Sequence, residues 1–83
     1  MNYDLAMMAL EGLGRSPLTI TTGGSEVVIE GTAAALKELA RLLLLIASDE
    51  NENDTFELQP GVHVERASPA LKLCRQAGGA PAG

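Results

Sequence analysis

The chain has 83 residues, 11 acidic against 6 basic with one His, for a formal net charge of −5. That length holds one small domain, and an apolar share of 46% with 20% charged residues excludes a disordered chain. Two aromatic residues, Tyr3 and Phe56, and no Trp exclude a stacking platform for single-stranded nucleic acid. The acidic balance argues against binding phosphate backbones and favours a basic protein surface as partner.

One Cys excludes an internal disulfide and makes a reducing compartment the expectation. The opening Met-Asn-Tyr-Asp lacks the basic flank of a signal peptide. The longest unbroken apolar run, Leu42–Ala47, has six residues, far short of the roughly 20 that span a bilayer. A cytoplasmic protein without a membrane partner is expected.

Residues 1–17 form an N-terminal segment. Asp4 is placed to cap a short helix over Leu5–Leu10, with Gly12 or Gly14 ending it; an extended lead-in is the rival. Pro17 blocks any continuation. Residues 18–76 are expected to form a single α+β domain. Over residues 18–30, Leu18, Ile20 and Thr22 share one face and Val27 and Ile29 return on one face, with β-branched residues in both arms. Gly23-Gly24 supplies the positive φ that a tight hairpin turn needs. A phosphate-cradling role for these glycines is disfavoured, because a strand follows them and not a helix.

Thr32 is a helix N-cap, and Ala33–Ala47 is rich in the strongest helix formers. On a helical wheel Leu36, Leu39, Ala40, Leu43, Ile46 and Ala47 fall in one arc, with Lys37, Glu38, Arg41 and Ser48 opposite. Leu45 falls among the polar residues, and Leu42 and Leu44 flank the arc. Leu45 is therefore either an isolated exposed leucine or part of a second buried side. Such a side would come from an N-terminal element, a homodimer mate or a partner protein.

The stretch 48–54 reads as a polar loop. With Glu57 it gathers five acids, Asp49, Glu50, Glu52, Asp54 and Glu57, and no base. Removing them leaves six acids against six bases, so the whole net charge resides there. The spacing does not fit a calcium loop, which needs a central Gly and a closing Glu. The choice is between a solvated connection and a patch that meets a basic partner.

Thr55–Leu58, Val62–Arg66 and Ala70–Arg75 read as three short extended pieces, broken at Pro60-Gly61 and Ser68-Pro69. Val62 and Val64 alternate with His63 and Glu65, and Leu71 and Leu73 with Lys72 and Cys74. Residues 77–83 read as a disordered tail. The expected fold is a two-layer α+β domain, an antiparallel sheet in ββαββ order packed on one main helix.

Chemistry is sparse. Cys74 and His63 are the one pair suited to nucleophilic catalysis, and an isolated strand Cys is more often a packing residue. Two His or Cys residues in all do not make a metal site, and no cofactor motif occurs. No catalytic residue, metal or cofactor is assigned, and an enzyme is not expected.

Ile29-Glu30-Gly31-Thr32, the leucine-rich stretch from Leu36 to Ala47, Val62-His63-Val64 and Ser68-Pro69-Ala70-Leu71 stand in an order that resembles the immunity protein 32 family of bacterial polymorphic toxin systems. The likeness covers residues 18–75; the N-terminal segment has no counterpart, and the loop before Val62 is more acidic than the family suggests. The resemblance implies an inhibitor that binds a cognate toxin and occludes its active cleft. The resemblance carries no binding residues; the localised charge and the helical wheel are what single out Asp49, Glu50, Glu52, Asp54 and Glu57 for the charge and Leu45 as an apolar anchor. Alternatives are a homodimeric structural or regulatory module pairing through Leu42, Leu44 and Leu45, and a phage-type inhibitor of a defence nuclease.

Overall fold

The structure, a computed structural model, describes residues 3–48 and 55–76. The elements run α1 (Tyr3–Arg15), β1 (Thr19–Gly23), β2 (Glu26–Glu30), α2 (Ala33–Ser48), β3 (Thr55–Leu58) and β4 (Leu71–Cys74). The class is α+β. Its strands divide between two separate two-stranded antiparallel sheets, β1–β2 and β3–β4, where the sequence suggests one.

α1 runs longer than the expected Leu5–Leu10. Neither Gly12 nor Gly14 ends it; it stops at Arg15, two residues before Pro17. A glycine inside a helix costs about 1 kcal/mol relative to Ala. At Gly12 the missing side chain has a use, because an added Cβ would fall 2.9 Å from Cγ and Cδ of Glu38 on α2. α1 buries Ala6, Ala9 and Leu13, a narrow face at helical spacing. The N-terminal segment is thus part of the common core.

The β1–β2 hairpin forms as expected, with Ile20 opposite Ile29 and Gly23 opposite Glu26. Its two-residue loop is Gly24-Ser25, one position later than the sequence suggests. Only Gly24 takes a positive φ, 61°, which is the signature of a hairpin loop with glycine at its first central position.

α2 begins as expected: the Ala35 N–H donates to Thr32 Oγ1 at 3.1 Å. Its buried face, however, is Ala35, Leu39, Leu42 and Ile46. That face is turned by about 70° from the arc drawn on the wheel. Leu36, Ala40, Leu43 and Ala47, all expected inside, are exposed. The reason is α1, which packs on the side where the wheel places Glu38 and Leu45. Glu38 lies over Gly12 and its side chain is largely covered, holding Arg41 at 3.1 Å. Leu45 is half-buried against the core, so the N-terminal element provides the second buried side.

Val62–Arg66 is not a strand. The Gln59 carbonyl accepts from the N–H groups of Val62 (3.1 Å), His63 (3.0 Å) and Val64 (3.3 Å), winding the chain tightly after Pro60. Val62 is exposed and Val64 fully buried, so the two do not share a face. This turn docks on β1: the Leu18 N–H donates to the His63 carbonyl (3.0 Å) and the Glu65 N–H to the Leu18 carbonyl (2.7 Å). Beyond it, buried Ser68 accepts the Ile20 N–H through Oγ at 2.9 Å. The two hairpin systems are therefore joined through this segment. Leu18, Ile20, Phe56, Leu58 and Val64 complete the core, and β2 places no side chain in it.

Candidate binding surface

The acidic patch is only partly within view. Asp49, Glu50, Glu52 and Asp54 lie outside the described residues. Glu57 is exposed on β3, where it stands directly opposite Lys72 on β4 and accepts from Gln59 Nε2 at 2.7 Å. Opposite charges across a strand pair attract. Pairing therefore sets a base beside an acid that has none near it in sequence.

The leucines proposed for contact separate. Leu42 is fully buried and cannot touch a homodimer mate, because it faces the protein's own core. Leu45 is half-buried and borders a recess of about 290 Å³ shared with Leu5, Arg41 and Leu44. Leu44 remains open, with 67% of its surface exposed.

Sequence reasoning missed the outer stripe of α2, by assigning it to the core. Leu36 and Leu43, 43% and 45% exposed, alternate there with exposed Ala33, Ala40 and Ala47. The spacing 33, 36, 40, 43, 47 steps by three and four residues in turn, the seam of a two-helix coiled coil. That spacing was a signal present in the sequence. Tyr3, Met7 and Met8 of α1 are also exposed. Solitary surface leucines are ordinary; a continuous stripe along one helix makes a candidate contact surface.

Cys74 and His63 do not form a pair along one sheet. Cys74 is exposed at the end of β4 opposite Thr55. His63 lies in the turn beyond the other end of β3, roughly 10 Å of strand away. Its Nδ1 accepts the Gln59 N–H at 3.2 Å, and burial lowers its pKa from the ordinary histidine value. A neutral imidazole with this nitrogen unprotonated suits that bond. Its part here is to close a turn. Among the described residues no group of three or more His, Cys, Asp or Glu could hold a metal ion. No described helix is long and apolar enough to cross a membrane.

No protein-family model, curated protein or solved structure matches the chain. The likeness to the immunity protein 32 family rests on the sequence pieces that carry it.

Proposed function

We propose that this protein is a small binding module that neutralises a cognate toxin by covering its active cleft. The observation that supports the reading is the uncovered apolar stripe of α2, with Leu36, Leu43 and Leu44 facing outward. The acidic run from Asp49 follows directly on the end of this helix in the sequence. An apolar anchor followed in the chain by a concentrated negative charge suits a cleft built to hold phosphates, whose walls must be basic. In this reading Leu44, and not Leu45, is the anchor.

Co-expression tests it. The chain should rescue growth of cells making the toxic product of an adjacent gene and should form a 1:1 complex with it. Leu44→Asp should abolish rescue while the chain stays folded. Joint reversal of Glu50, Glu52 and Asp54 to Lys should weaken the complex at least about tenfold at low salt, an effect that salt removes in the wild type. Full rescue by both variants would overturn the proposal.

A second reading is favoured by the 33-36-40-43-47 spacing. In an antiparallel pair of α2 helices, each leucine of the seam can sit over an alanine of the other copy. Light scattering at micromolar concentration separates the two readings: a dimer lost on Leu43→Lys supports self-pairing, and a strict monomer removes it.

A further inference from the structure

Among the described residues, the β1–β2 sheet has one edge engaged by the 63–68 segment and one open edge. On the β1 side, Leu18 exchanges hydrogen bonds with His63 and Glu65, and Ile20 donates to Ser68. On the other side, β1 is the sole sheet partner of β2 among the described residues. The pairing of Gly23 with Glu26 across a two-residue loop fixes which backbone groups point outward. Glu26, Val28 and Glu30 exchange hydrogen bonds with β1; Val27 and Ile29, at the alternate positions, aim N–H and C=O away from it. No other described residue takes up these groups. Their side chains are accessible too: Val27 is 65% and Ile29 39% exposed.

A bare strand edge is a template for another strand, and the flanking charges select which strand. A second copy is disfavoured in the register of greatest overlap. Antiparallel self-pairing about Val28 would set Glu26 of each copy against Glu30 of the other, like charges directly opposite. An incoming strand with Lys or Arg at those two positions would instead meet opposite charge at both ends. Against an added strand, Val27 and Ile29 would form the hydrogen-bonded pairs, and Glu26, Val28 and Glu30 the close, non-hydrogen-bonded pairs, where facing side chains approach most nearly.

We propose that the free edge of β2 binds an extended segment of a partner protein, patterned basic–aliphatic–x–aliphatic–basic, by strand addition. Main-chain bonds to Val27 and Ile29 hold the segment, its two aliphatic residues lie beside those side chains, and its basic ends pair with Glu26 and Glu30. The inference does not rest on the inhibitor reading: the α2 surface can fail its test while this edge binds.

The test is titration of the whole chain with a capped peptide containing Lys-Val-Thr-Val-Lys, against one containing Glu-Val-Thr-Val-Glu. The basic peptide should bind at least about tenfold more tightly at low salt, and the difference should shrink as salt screens it. On binding, the amides of Val27 and Ile29 should become protected from exchange, while that of Val28, already bonded to β1, should change little. The E26K/E30K variant should reverse the preference between the two peptides. The neutral pair E26Q/E30Q should abolish it, which keeps the test open if the reversed variant does not fold. Equal binding of both peptides to the wild type, no binding of the basic one at about 1 mM, or unprotected Val27 and Ile29 amides would each overturn the proposal.

Discussion

Helix α2 carries two apolar stripes of nearly equal strength, and they have opposite fates. Ala35, Leu39, Leu42 and Ile46 face α1 and the strands and are buried; Leu36, Ala40, Leu43 and Ala47 face away and are exposed. Hydrophobicity alone does not decide between them, since the buried stripe holds three large aliphatic residues and the exposed one still holds two. What separates them is what can approach. α1 offers Ala6, Ala9 and Gly12, small enough to bring its backbone near α2 and to let Glu38 lie across the join. No described element offers such a surface to the outer stripe. Burial here follows from the shape of the neighbour as much as from the water-avoidance of the residue.

The sharpest way to break this contrast is to truncate one leucine on each stripe. Leu42→Ala should cost about 2–5 kcal/mol, because it opens a cavity where the side chain has no exposure. Leu43→Ala, one residue along, should change stability by about 0.5 kcal/mol or less. Urea midpoints at constant slope measure both, and similar losses would mean that the outer stripe is covered. The helix start comes next. Thr32→Ala removes the acceptor for the Ala35 N–H and should cost about 1 kcal/mol.

Smaller still is the contrast between the two glycines of α1. Gly14→Ala meets nothing nearer than the Val62 carbonyl oxygen at 3.9 Å and should stabilise by about 0.5–1 kcal/mol through helix propensity. Gly12→Ala should lose that gain by displacing Glu38, and Glu38→Ala in the same chain should restore most of it. Additive effects in that double-mutant cycle would dissolve the proposed contact. The smallest effect concerns His63. Burial lowers its pKa in the folded state, so as pH falls through the ordinary histidine range the unfolded chain takes up the proton first. Folded stability should therefore decline between about pH 7 and pH 5. His63→Asn, which keeps an acceptor for the Gln59 N–H, should show a shallower decline over that interval in thermal melts.

Much of the fold is legible in the sequence where local signals agree. Thr32 with its Ala- and Leu-rich run marks α2, and alternating β-branched residues around glycine mark the hairpin. Elsewhere a distant partner overrides the local signal. Gly12 and Gly14 read as helix stops, yet packing against α2 carries the helix to Arg15. Val62-His63-Val64 alternates like a strand, but Pro60 and the Gln59 carbonyl gather it into a turn. The phase of α2 was unreadable because both stripes fit an amphipathic helix and the choice lay with α1. As for the candidate binding surface, the sequence shows the acidic concentration plainly, but only pairing reveals that Glu57 faces Lys72.

The suture between β1 and the segment around residues 63–68 has a consequence for the order of events during synthesis. Leu18 and Ile20 find their hydrogen-bond partners at His63, Glu65 and Ser68, some 45 to 48 positions further along. At roughly 5–20 residues per second a ribosome takes several seconds to deliver that stretch. Until then the hairpin can close on itself but has nothing to dock against, and α1 can meet α2 only as a half-finished body. Docking of the hairpin thus waits for translation of the 63–68 segment and a long loop closure, and a nascent chain stalled before Ser68 should remain open to proteases.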